Sequence, residues 1–249
     1  MSQPIVIAID GPSASGKSTN AKLVATALGY VYVDTGAMYR TLAWHCRRRR
    51  VDVEDPKAVG DACARWNTSL ENINGQARLT VDGYFPEKEI RTRETSADAT
   101  RVAAVPSVRD WMKAKQRDCL AFGNLVMEGR DIGSNVFPET EFKFYIDASL
   151  HERSQRRYAE GVDEDLADRD QRDSQRAAAP LKVPEGAFLV NTSGQTPEES
   201  SGVIIAEIRR RLPPNSQAHS RGTAEPEANP GPRAAEELRG VARTTQCGS

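Results

Sequence analysis

Five consecutive apolar residues, Ile5-Val6-Ile7-Ala8-Ile9, run through Asp10 into a loop of small residues that ends in Gly16-Lys17-Ser18-Thr19. An unbroken apolar run of this length is the pattern of a strand buried on both faces of a parallel sheet. Helix-forming residues follow from Lys17 to Leu28, with Leu23, Ala27 and Leu28 expected on the inner stripe and Gly29 as the stop signal. A second short strand, "YVYVDTG", ends at Asp34. Strand, helix and strand within about thirty residues make one βαβ unit. Three later runs, Leu125–Glu128, Phe142–Asp147 and Ala187–Asn191, read as further strands between helical stretches. The expected fold is therefore α/β, a doubly wound parallel sheet of about five strands.

The loop matches G-x-x-x-x-G-K-[ST] in full, as Gly11, Pro12, Ser13, Ala14, Ser15, Gly16, Lys17 and Ser18, with Thr19 next. It also lies where that motif works, between a buried strand and a helix N-terminus. Glycines let the backbone wrap a phosphate so that successive N–H groups point inward, and the helix dipole adds its field. Lys17 would reach the β- and γ-phosphates and Ser18 would supply a hydroxyl to Mg²⁺. The loop is expected to hold a nucleoside triphosphate.

About ninety residues separate the second and third strands, too many for a plain crossover. "ARLTVDGYF" (Ala77–Phe85) alternates in strand fashion around Asp82-Gly83, and Asn74-Gly75 is a second turn signal. A β-rich insertion on the sheet edge is expected, flanked by helices at Ala37–Arg50 and Ser107–Phe122. Residues 151–176 are densely charged and poor in apolar residues, which predicts a solvated helical flap. Pro213–Ser249 has five prolines and no aromatic residue, and is expected to be a disordered tail.

With 34 basic and 35 acidic side chains the net charge is −1, which gives no support for a nucleic-acid or membrane-surface binder. "CRRRR" (Cys46–Arg50) is expected to be the polar end of a helix. The cysteines Cys46, Cys63, Cys119 and Cys247 are scattered without CxxC spacing, so reduced thiols are expected. The first ten residues have neither the basic lead nor the apolar length of a signal peptide, and a cytoplasmic, monomeric protein is expected.

Function has to be sought beyond the phosphate loop, because ATPases, GTPases and small-molecule kinases share it. No N-K-x-D guanine-reading motif occurs. "DTGAMYR" places Thr35 and Arg40 at and after the end of the second strand, and "EGRD" places Arg130 and Asp131 just after the third. Ligands of doubly wound sheets sit at the carboxyl ends of strands, so two arginines there could fork onto a second phosphate. Glu128, at the strand end, is a candidate to hold a Mg²⁺-bound water. Three readings stay open on these residues: a kinase for a nucleotide or another acceptor, a nucleotide-binding switch without transfer, and a GTPase lacking its base-reading motif.

The segments "IAIDGPSASGKST", "VDTGAMYR", "EIRTRETS…VAAVPSVR", "MEGRDIGSNVFPET" and "RDQRDSQRAAAPL" occur in order from Ile5 to about Arg211. Together they resemble bacterial-type cytidylate kinase, which transfers the γ-phosphoryl group of ATP to CMP or dCMP. The resemblance implies a core at 1–36, 123–150 and 177–212, a monophosphate-binding insertion at 37–122 and a lid at 151–176. It implies that Thr35 lies near CMP, that Arg40 and Arg130 grip its phosphate, and that Thr100, Arg109 and Asp131 read cytosine. A carboxylate can accept from the exocyclic amine of cytosine and would repel the carbonyl of uracil. The same resemblance implies that Arg169 and Asp173 approach the ribose, Arg176 the reacting phosphates, and Arg153, Arg156 and Arg157 the ATP phosphates. Between "RRY" and "DRDQRD" the chain is shorter than the family's usual lid by about one helical segment.

Overall fold

The computed structural model describes residues 3–159, 166–175 and 180–212. Arg176, the middle of the 151–176 segment and the expected tail at 213–249 lie outside the described residues. Residues 1–217 form one compact unit, and the second, 218–249, falls in the undescribed part.

The apolar run becomes β1 (Val6–Asp10), every residue of which is buried. Its side chains alternate between two cores. Val6 and Ala8 join one cluster, and Ile7 and Ile9 the other, so the strand is covered on both faces as the continuous apolar pattern requires. The strands form one sheet in the order β3-β4-β2-β5-β1-β6-β7. Here β2 is Val31–Asp34, β5 Leu125–Gly129, β6 Phe142–Asp147 and β7 Phe188–Asn191. All neighbours are parallel except β3 (Thr68–Ile73) and β4 (Gln76–Val81). Register brings Asp10 level with Gly129, and Asp34 level with Glu128. Three strand ends thus meet at one edge, where the chain leaves β1 between two neighbours distant in sequence.

Helix α1 (Lys17–Leu28) and α8 (Pro197–Arg211) cover one face through Ala21, Val24, Ala25, Ile204 and Ile208. The inner stripe of α1 differs from the expected one: Ala27 is exposed, and Ala21, Val24 and Ala25 are buried in its place. Small side chains on that stripe let the helix approach the strands closely. Gly29 does close the helix in the left-handed conformation, φ 67°. Helices α2 (Thr35–Arg48), α4 (Arg93–Val102) and α5 (Pro106–Asp118) cover the other face through Met38, Leu42, Ala99, Val102, Val108 and Met112. Between them lies α3 (Pro56–Arg65), started by an Asp55 cap. Arg47 pairs with Asp98, Arg48 lies over Trp44, and Arg49 lies over Trp66, so the basic end of α2 is absorbed by its own surroundings.

The β-rich insertion also differs in detail. Its hairpin turns at Asn74-Gly75 rather than at Asp82-Gly83, since "TSLENI" before it supplies the partner strand and β4 ends at Val81. Both pairs take positive φ, but Asp82-Gly83 closes only an isolated bridge between Val81 and Tyr84. The hairpin joins the main sheet through β4 beside β2. The charged segment folds into α6 (Leu150–Ala159) and α7 (Leu166–Ser174). It is not simply solvated: Arg153, Leu166 and Asp173 are buried.

Candidate active site

The glycine loop is held by side chains that take its carbonyls. Lys17 Nζ donates to Pro12 O, Arg153 to Ser13 O, Arg156 to Ala14 O, and Thr192 Oγ1 to Ser15 O. In a trans peptide the C=O and the following N–H point in opposite directions. Engaging these four carbonyls fixes the peptide planes of the loop, and with them the direction of the opposed N–H groups, the kind of arrangement that cradles an anion. Gly11 cannot be replaced, because a Cβ there would lie 2.0 Å from the Ile146 carbonyl oxygen at the end of β6. Gly16 heads α1 with φ 90°.

Beside the loop opens a cavity of about 460 Å³. Of the expected site residues it collects Ser13, Ala14, Gly16, Lys17, Ser18, Thr19, Thr35, Arg40, Thr100, Arg109, Glu128, Arg130, Asp131, Arg156, Arg157, Arg169 and Asp173. Gly11, Pro12 and Ser15, also in the loop, are buried. Arg153 does not line the cavity. Its guanidinium is buried against the Ser13 and Ala148 carbonyls and Asp170, so it braces the loop from behind.

The far end of the cavity is organised by carboxylates. Asp34 caps α2 by accepting from Ala37 N at 2.7 Å, and its other oxygen holds Arg40 at 3.1 Å. Helix α2 begins at Thr35, whose hydroxyl donates to Glu128 O at 2.6 Å and stitches β2 to β5. Arg130 pairs with Asp173 of α7 at 2.9 Å, and Arg109 with Asp131 at 2.6 Å. Each cation is thus held in a fixed place by an anion, and each pair keeps surface on the cavity.

A glycine loop and paired arginines thus line one cavity. The family model described as cytidylate kinase matches residues 7–210. The chain belongs to the cytidylate kinase family. It is 39% identical over 217 residues to the cytidylate kinase of Caldanaerobacter subterraneus subsp. tengcongensis, covering 83% of this chain and 95% of that protein. It is also 39% identical over 223 residues to that of Anoxybacillus flavithermus, covering 85% and 99%.

Electrostatics in this cytidylate kinase family site follow from burial. Loss of water pulls Lys17 down to about 7, and Arg130 pushes it the same way. Burial raises Glu128, against the opposing pull of Lys17, Ser18 and Tyr32. Asp10, wholly buried at the end of β1, is pushed up to about 7 although Ile132 N and Gly133 N each donate to it at 2.8 Å.

Tyr32, Asp34, Asn135 and Thr192 are hydrogen-bonded to residues of the loop and cavity, Asp10 holds the turn that follows Asp131, and the sequence did not single them out. Asp10 carried a signal: an acidic residue inside an apolar strand, directly before the loop. Thr192 follows the end of β7, another strand terminus. Tyr32 carried none, because its partner Glu128 lies 96 positions away, and Asn135 carried none, because its contact with Asp131 depends on how the turn between them folds.

Proposed function

We propose that this protein transfers the γ-phosphoryl group of ATP to CMP or dCMP, giving ADP and CDP or dCDP. The observation that carries this reading is one cavity lined both by the glycine loop with Lys17 and by Arg40, Arg130, Arg109 and Asp131. Phosphoryl transfer of this kind needs positioning and charge neutralisation rather than a covalent group.

In this reading Lys17 meets the β- and γ-phosphates, whose negative charge restores the proton that burial disfavours. Arg40 and Arg130 hold the acceptor phosphate, Arg157 faces the ATP phosphates and Arg169 the ribose. Arg176, outside the described residues, is assigned to the reacting phosphates on the family resemblance alone. Arg130 exchanges its Asp173 partner for phosphate, and Asp173 turns to the ribose. Asp131 accepts from the exocyclic amine of cytosine while Arg109 faces the same base edge. A uracil carbonyl would leave that buried acceptor unpaired, which is the costly mismatch. No general base is required, since the acceptor phosphate is already an anion near neutral pH.

The residues present fit Mg²⁺. Ser18 and Glu128 offer oxygen ligands within hydrogen-bonding reach of one another, the donor chemistry a hard cation takes. When bound, the ion neutralises charge on the β- and γ-phosphates. Ser18 would hold it directly and Glu128 through a water. Among the described residues no helix is long and apolar enough to cross a membrane.

The test is ADP release from ATP and Mg²⁺ with CMP, dCMP, UMP, AMP or GMP offered separately. Selective turnover with CMP and dCMP is expected. Equal, slow release with and without acceptor would point to a nucleotide-binding switch and overturn the proposal.

A further inference from the structure

Asp131 is not held by Arg109 alone. Its Oδ2 also accepts from Asn135 Nδ2 at 2.9 Å, while Asn135 Oδ1 accepts from Lys113 Nζ at 3.1 Å. Lysine has donors only, so it can face just the oxygen end of the amide. Lys113 thereby decides which way Asn135 is turned, and only its NH₂ can reach the carboxylate. Two pairs of side chains meet here: Arg109 and Lys113, one turn apart on α5, face Asp131 and Asn135, four residues apart.

The backbone around the second pair is equally restrained. Residues Ile132–Val136 form one widened helical turn, in which Asn135 N and Val136 N both donate to Asp131 O, at 2.9 and 3.2 Å. Asp10 holds the N–H groups of Ile132 and Gly133. Oδ2 of Asp131 is thus occupied by two donors, and Oδ1 has no hydrogen-bond partner among the described residues. Asp131 lines the cavity, whereas Asn135 does not.

We propose that Asn135, oriented by Lys113, is a positioning residue for base selection. It locks the Asp131 side chain in one orientation, with Oδ1 offered to the cavity, and so sharpens the choice of an amine-bearing pyrimidine over a carbonyl-bearing one. This rests on the reading that Asp131 meets the base. Without Asn135 the carboxylate keeps Arg109 but can turn about its terminal bond.

The experiment measures kcat/KM for CMP and for UMP, with KM for ATP, in Asn135→Ala, Asn135→Asp and Asp131→Asn. Asn135→Ala is expected to lower the CMP/UMP ratio by about fivefold or more, the value of one net hydrogen bond, with KM for ATP unchanged. Asn135→Asp keeps the shape but sets an acceptor against Oδ2, and the ratio should fall further. Should Asp131→Asn lower the ratio while both Asn135 variants keep the wild-type value, Asn135 has no part in selection and the proposal is wrong. A ratio untouched even by Asp131→Asn would remove Asp131 from base recognition, and the proposal with it. Equal losses with both nucleotides and a raised KM for ATP would make Asn135 a general structural residue, which also overturns it.

Discussion

Replacing Tyr32 with phenylalanine removes one oxygen and tests how the buried carboxylate of Glu128 is kept charged. The Tyr32 hydroxyl donates to Glu128 Oε1 at 2.5 Å, where Glu128 is only 4% exposed. Burial and the neighbouring Asp34 raise the pKa of Glu128, while Lys17, Ser18 and Tyr32 oppose them. A hydrogen bond to a charged group is worth about 1.5–3 kcal/mol, or roughly 10- to 100-fold in an equilibrium constant. Ser18 and Lys17 remain in the variant, so the lower end applies, about tenfold. In the proposed mechanism Glu128 acts as a carboxylate toward the ion. Loss of the donor raises its pKa, so activity on the acid side should disappear at a higher pH than in the wild type. The Mg²⁺ concentration for half-maximal rate should rise about tenfold near pH 7, with KM for CMP within about twofold. Calorimetry of ATP binding with and without Mg²⁺ gives a readout independent of turnover, and the gain from Mg²⁺ should shrink. An unchanged Mg²⁺ requirement together with an unchanged acid limb would refute the placement of Glu128 beside the ion.

Three further outcomes are expected. Gly11→Ala drives a Cβ into the Ile146 backbone oxygen, which cannot swing aside as a side chain would, and should destabilise the protein by more than about 3 kcal/mol; a melting temperature within a degree of the wild type would contradict this. Arg130→Ala should raise KM for CMP about thirtyfold or more, while the Kd for ATP without CMP stays within about threefold. Parallel losses for both nucleotides would disprove the assignment to the acceptor. Asp10 is pushed up from 3.8 to about 7 by burial, so its contribution to stability is full below pH 4 and lost as the pH rises through 7. Between pH 8 and pH 5 the wild type should gain roughly 2–3 kcal/mol relative to Asp10→Asn in urea unfolding. Curves that stay parallel across that range would count against it.

Much of the architecture is legible in short segments, because a buried parallel strand, a glycine loop and a helix stop each depend on residues within a few positions. Val6–Asp10, the loop and Gly29 form as their local pattern requires. Even the misplaced hairpin turn was one of two visible signals; choosing Asn74-Gly75 required a partner strand whose alternation is weak. The helix face of α1 was less readable, since alanines pack against a sheet as well as leucines do when the approach is close.

By itself, the sequence determined the phosphate loop, the strands that frame it and the positions where arginines leave strand ends. Only the tertiary structure decided which charges meet. Asp10 holds residues 122 and 123 positions away, Tyr32 reaches Glu128 across 96, and Thr192 ties down Ser15 across 177. It also took Arg153 out of the cavity and behind the loop, and set Asn135 between Lys113 and Asp131. The reason is physical. Backbone conformation is governed by neighbours along the chain, whereas the partner of a buried charge is chosen by strand order and register, which bring distant segments to the same edge of the sheet.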